Sequence, residues 1–120
     1  MLINISNHPS KYWGERQLYM ATELWGGVTD IPFPQVDPAW DKSAVIAIAD
    51  DIVDELHSIY LRHSTPSAFH IMGESVLCFH LISRLKAKGC CVVASTSNRN
   101  VEYNNDNKIS HFEFVTFREY

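Results

Sequence analysis

With 120 residues, 46% of them hydrophobic and 20% charged, the chain is sized for a single domain over 1–120, since two halves would each be too small to bury an adequate core. A formal charge of −4 argues against a general duplex-DNA binder, which needs a basic face to displace counterions, but leaves open a small anion met by local N–H groups and an arginine. No stretch reaches the roughly 18 apolar residues of a membrane span, and the first residues do not run from basic to apolar as a leader does, so a cytoplasmic protein without membrane contact is expected.

Residues 2–6, "LINIS", read as a buried first strand: an isoleucine-rich apolar run ending in turn formers. A loop follows, then Leu18, Ala21, Leu24 and Trp25 at helical spacing, stopped by Gly26 and Gly27. "VTDIPFP" (28–34) reads as a second strand closed by Pro32 and Pro34, which cannot extend a ladder. Asp41 is placed to cap a long helix from Lys42 to Arg62, in which Val45, Ile48, Ala49, Ile52, Leu56, Ile59 and Tyr60 keep one face apolar. "SAFHIMG" (67–73) predicts a third strand, "ESVLCFHLISRLKAKG" (74–89) a third helix, and "CCVVAS" (90–95) a fourth strand. Alternating strands and helices build right-handed βαβ units with parallel strands. The tail, "NVEYNNDNKISHFEFVTF", departs from that rhythm and predicts a β-hairpin turning at "NNDNK". The expected fold is therefore α/β: a small Rossmann-like three-layer sandwich with a mostly parallel central sheet and a C-terminal β-hairpin.

Cys78, Cys90 and Cys91 have neither metal-ligand spacing nor the even count of a disulfide framework, and read as thiols in or near the core. The histidines and acids also lack ligand spacing, and there is no G-x-G-x-x-G, Walker lysine, H-E-x-x-H or serine-hydrolase signature, so neither metal nor cofactor is expected.

In an open α/β sheet ligands sit beyond the carboxyl ends of the strands, where the strand order reverses. For an order 2-1-3-4 that point lies between the first and third strands, where "SNHPS" and "MGES" meet with "STSNR" alongside. These segments supply Ser6, Asn7, His8 and Ser10, then Gly73, Glu74 and Ser75, then Ser95, Thr96, Ser97, Asn98 and Arg99, a set of short directional donors suited to phosphate and ribose oxygens. Asn7, Ser10 and the Ser-Thr-Ser run serve equally well as caps and turn residues, and His8 as a solvated loop histidine. His57, His63, His80 and His111 read as structural or exposed, and His70, inside a strand, as a packed, satisfied side chain.

Glu74 stands where phosphate is commonly cradled, at a helix start after a glycine. Either it complements the helix dipole, or, since a carboxylate repels phosphate, it faces a base amine, a ribose hydroxyl or a transferable proton.

"NISNHPSKYW" with Gln17, "DIPFPQVDP", "HIMGES", "VVASTSNRNV" and "FVTFREY" together resemble the small stand-alone CRISPR-associated Rossmann-like proteins of type III systems, relatives of CARF domains and ring nucleases. The resemblance implies a homodimer whose merged pockets hold a cyclic oligoadenylate, with tetra-adenylate the expected ring. It also implies metal-independent ring opening, in which a ribose 2′-hydroxyl attacks the adjacent phosphate and leaves a 2′,3′-cyclic phosphate. Some members of that group bind the messenger without cutting it. On this chemistry His8 is the expected general acid or base, Arg99 the phosphate partner and Glu74 the residue orienting ribose. A non-catalytic binder of the same messenger and an interaction domain without a nucleotide site are the other readings.

Overall fold

The computed structural model describes residues 1–120. Five strands form one sheet in the order β2-β1-β3-β4-β5. These are β1 (Leu2–Ser6), β2 (Val28–Asp30), β3 (Ala68–Met72), β4 (Val92–Asn104) and β5 (Asn107–Glu119). The helices are α1 (Glu15–Trp25), α2 (Lys42–Arg62) and α3 (Ser75–Ala87), with a short 3₁₀ turn at Ser10–Tyr12. β1 pairs in parallel with β2 and β3, and β3 with β4, while β5 runs antiparallel to β4. The fold is thus α/β with a mixed, mostly parallel sheet, its order following the expected 2-1-3-4 with the hairpin's second strand added at the edge.

Alternation along the strands sends neighbouring residues to opposite faces. Ile3, Ile5, Phe69, Ile71 and Val92 pack against Val53 and Leu56 of α2 and Leu81, Ile82 and Leu85 of α3, with Cys78 and Cys90 in the same cluster. Leu2, Ala68 and Val93 face the other way, against Trp13 and Ala21, with Trp25 and Phe117 at the margin. Caps fix the helix ends: Asp41 accepts from Ala44 N–H at the start of α2, and Gly26, left-handed at φ 82°, closes α1. No helix is long and apolar enough to cross a membrane.

Two boundaries depart from the sequence reading. The second strand ends at Asp30 rather than Pro34. Only Ile31 N–H still reaches Asn4 O, at 2.8 Å, and the prolines that follow cannot donate. More consequential for the site, "STSNR" is not a loop after a short fourth strand. β4 runs unbroken from Val92 to Asn104, because the segment contains no glycine or proline and β5 pairs with it along its length, with one register shift between Thr96 and Ser97. The expected hairpin turn is present: Asn105 and Asp106 both take positive φ (47° and 66°), the two-residue geometry that suits the right-handed twist of a hairpin.

Candidate functional site

A hollow of about 400 Å³ opens beyond the carboxyl ends of β1 and β3 and against β4, on the α1 side of the sheet. It is lined by members of all three predicted segments: Ser6, Asn7 and His8, then Met72 and Gly73, then Ser95, Thr96 and Ser97. Gln17, His70, Phe112 and Phe114 complete the wall. Asn7 N–H donates to Met72 O at 3.2 Å, tying the first two segments together at the rim.

The floor is a chain of hydrogen bonds running through the sheet. Asp30 Oδ1 accepts from Asn4 Nδ2 (2.7 Å), and Asn4 Oδ1 lies 2.8 Å from His70 Nδ1. His70 Nε2 lies 2.6 Å from Ser95 Oγ, which also accepts from Gln17 Nε2 at 3.0 Å. Ser6 Oγ donates to Asn4 Oδ1 at 2.8 Å. Asn4, Ser6, Gln17 and His70 are all buried, and no buried side-chain polar atom in the protein lacks a partner. Such a network is favourable only when complete, since an orphaned member loses its hydration without a replacement bond.

Burial pushes His70 down to about 4, with the neighbouring His8 adding in the same direction, so its imidazole is neutral at pH 7. Its ring is fixed edge-on between Trp13 and Phe117, at centroid distances of 5.2 and 5.7 Å. Burial works to raise Asp30, but hydrogen bonds from Ser10 Oγ, Asn4 and Ser10 N–H outweigh it and hold the carboxyl below its usual value. The His8 carbonyl accepts from Asn4 Nδ2 and Trp13 Nε1, and His8 N–H donates to Ser6 Oγ, which pins the backbone of the first loop while the His8 imidazole stays exposed at the hollow.

The other predicted residues lie around this hollow rather than in it. Ser10 is engaged with Asp30 through both its hydroxyl and its N–H. Glu74 commits both carboxylate oxygens to the start of its own helix, accepting from Val76 N–H (3.1 Å) and Leu77 N–H (2.7 Å), and faces a second, larger hollow of about 640 Å³ beside Asn7 and the segment from Phe33 to Trp40. Ser75 lines a third, beside Met72 and Tyr120. Asn98 and Arg99 lie farther out on β4, with Arg99 Nη2 donating to Ser110 Oγ at 3.2 Å. The first hollow is the stronger candidate because buried polar side chains end in it, whereas of the two carboxylates at the second, Glu74 is occupied by its own helix and Asp37 by the N–H of Ala39 in its turn.

Sequence reasoning misses Asn4, Gln17 and Asp30 as site residues and sets His70 aside as packed and satisfied. It is both, yet it also lines the hollow. The available signal is the polar side chain at every second position, Asn4 and Ser6 in one apolar run and His70 in another.

The family model described as "Uncharacterized protein MJ1673 family" matches residues 1–118. The chain belongs to that family. No curated relative and no solved structure matches it.

Beyond the hollow, the hairpin continues as an arm whose two faces differ. Residues paired directly across an antiparallel ladder share a face. Ser97 and Phe114, Arg99 and Phe112, Val101 and Ser110, and Tyr103 and Lys108 therefore lie on one side, while Asn98 and Glu113, Asn100 and His111, and Glu102 and Ile109 lie on the other. Both carboxylates of the arm's outer ladder, Glu102 and Glu113, fall on the second side. The first carries Arg99, Lys108 and exposed aromatic rings, and it is the side on which Ser97, Phe112 and Phe114 line the hollow.

Proposed function

We propose that the protein binds a cyclic oligoadenylate, with tetra-adenylate the expected ring, and opens it without a metal by attack of a ribose 2′-hydroxyl on the adjacent phosphate, ending a type III CRISPR signal. The observation that carries this reading is the convergence of Ser6–His8, Met72–Gly73 and Ser95–Ser97 on one hollow beyond the ends of β1 and β3 and against β4. Its donors suit ribose and phosphate oxygens, and Phe112 and Phe114 offer faces on which bases stack. His8, exposed at the rim, is the candidate acid for the leaving oxygen. Arg99 and Lys108, on the same side of the arm, are the proposed partners of neighbouring phosphates.

A volume of about 400 Å³ sits near the lower end of small-ligand pockets, which span about 300–1,000 Å³, so one hollow suits one or two nucleotides rather than a whole ring. A homodimer presenting each donor twice supplies the remainder, and two-fold symmetry matches that of a four-membered ring. A Rossmann-like three-layer sandwich, supported by α1 on one side of the sheet and α2 and α3 on the other, belongs to the same reading. So does a cytoplasmic location, supported by three free cysteines.

The second reading, a non-catalytic binder of the same messenger, is favoured by the engagement of Glu74 and Arg99 elsewhere. Incubating the protein in EDTA with labelled cyclic oligoadenylates and resolving the products by mass separates the two. Linear products ending in 2′,3′-cyclic phosphate are expected. Tight binding without turnover selects the binder, and a panel of rings that neither binds nor raises the melting temperature rejects both.

A further inference from the structure

We propose that Ser95 and His70 form the proton-accepting relay of this site: Ser95 Oγ takes the proton of the attacking ribose 2′-hydroxyl as its own passes to His70 Nε2. The inference rests on the ring-opening reading and assigns it a base. The polarity of the buried chain carries it. Asn4 Nδ2 faces two acceptors, the Asp30 carboxylate and His8 O, which fixes the amide so that Oδ1 faces His70. An amide oxygen only accepts, so the imidazole proton sits on Nδ1 and Nε2 carries a lone pair. At 2.6 Å, Nε2 then accepts from the Ser95 hydroxyl, while Gln17 Nε2 donates to the same oxygen.

A hydroxyl oxygen has one proton and two lone pairs. With the proton on His70 and one lone pair on Gln17, Ser95 keeps one lone pair for the hollow that it lines. A phosphate oxygen offers nothing to that lone pair, whereas a ribose hydroxyl donates to it. Ser95 therefore reads the sugar and sits where the proton must leave.

The step balances without a co-reactant. The 2′-O–H bond breaks with its proton moving to Ser95 Oγ, the Ser95 proton moves to Nε2, and His70 becomes imidazolium while Nδ1–H remains on Asn4. The 2′-oxygen bonds to phosphorus, the bond from phosphorus to the 5′-oxygen breaks, and that oxygen takes a proton from His8 or water. The titratable groups around His70 are His8 on the loop after β1 and Asp30, reached through Asn4; Gln17, Trp13 and Phe117 present neutral surfaces. An incoming phosphate adds a negative charge that stabilises the imidazolium, raising basicity when substrate is present. Ser95 touches the reacting hydroxyl. His70, Asn4 and Asp30 act through it as positioning residues.

The test compares wild type with Ser95→Ala in single-turnover cleavage of labelled cyclic tetra-adenylate, alongside affinities for that ring and its 2′-O-methyl form. Ser95→Ala is expected to slow cleavage by about 10²–10⁴-fold with affinity kept within a few-fold, because the serine serves proton transfer rather than gross binding. Wild type should bind the 2′-O-methyl ring about tenfold more weakly than the parent, a discrimination absent in Ser95→Ala. Nitrogen-15 NMR of the ligand-free protein at pH 7 should show His70 protonated at Nδ1 and bare at Nε2. Cleavage by Ser95→Ala at close to the wild-type rate, or a proton on Nε2, overturns the relay and leaves the ring-opening reading intact. A wild type that leaves every ring whole overturns that reading, and the relay falls with it.

Discussion

Acid should weaken this protein through His70, and the magnitude follows from the burial of that one ring. In the unfolded chain an imidazole titrates near 6.5, whereas burial, with His8 adding to it, holds His70 in the folded state at about 4. Between those values the unfolded state binds the extra proton, so stability is full above about pH 6.5 and is lost as the pH falls toward 4. Each tenfold difference in proton affinity between the two states is worth about 1.4 kcal/mol, so the whole effect is about 3 kcal/mol, of which about 2 kcal/mol is lost between pH 7 and pH 5. With a urea slope of about 1–3 kcal/mol per molar for a small domain, the denaturation midpoint should fall by about 1 M over that interval. The comparison that isolates His70 is His70→Asn, which removes the titrating ring while retaining an amide able to donate to Asn4 Oδ1. Every other ionisable group, including the amino terminus whose pKa burial also lowers, is common to both proteins and cancels in the difference. The variant is expected to start less stable and to show a much shallower acid slope. A wild type flat between pH 7 and pH 5, or a variant whose slope matches it, would refute a neutral buried His70.

Two further outcomes test how the frame of the site is built. Gly73→Ala should cost about 1–3 kcal/mol in urea denaturation, because a Cβ there would stand 2.5 Å from ring atoms of Phe33 and the ring must swing away from the β3–α3 turn; unchanged stability would mean that Phe33 does not rest on this turn. Asp41→Ala should cost about 1 kcal/mol by the same assay, since its carboxylate accepts Ala44 N–H at 3.0 Å in the first turn of α2, whereas Asp37→Ala, which bonds only within an exposed turn, should change little.

Elements whose hydrophobic period is uninterrupted are legible from the sequence, and those whose composition misleads are not. α2 is readable from Lys42 to Arg62 because its apolar stripe and the Asp41 cap agree, and the strand order follows from alternating strands and helices. "STSNR" misleads because polarity suggests a loop, while an exposed strand whose partner lies on one side only can be polar throughout; the missing glycine and proline are the better guide. The capping role of Glu74 is one of two readings its position allows, and sequence alone does not reveal that both oxygens are taken by α3. Most hidden is the partnership of Asn4, Gln17, Asp30, His70 and Ser95, because it joins four strands and a helix across separations as long as 78 residues.

The position of that partnership in the sheet bears on why it exists. Along the α1-facing side, each strand passes from apolar to polar toward its carboxyl end: Leu2 to Asn4 to Ser6, Ala68 to His70, and Val93 to Ser95. The opposite side of β1 and β3 stays apolar throughout, with Ile3, Ile5, Phe69 and Ile71. Folding alone gives no reason for the difference, since a matched hydrogen-bonded group contributes only about 1 kcal/mol net and apolar side chains of similar size would pack as stably. Replacing His70 or Asn4 singly would orphan its neighbours, so the set is retained or lost together. A core that turns polar on one side only, and only at the end of the sheet where loops from β1 and β3 meet, gains no stability by it but holds donors and acceptors in a fixed arrangement. The open end of that arrangement is the Ser95 hydroxyl, which lines the hollow.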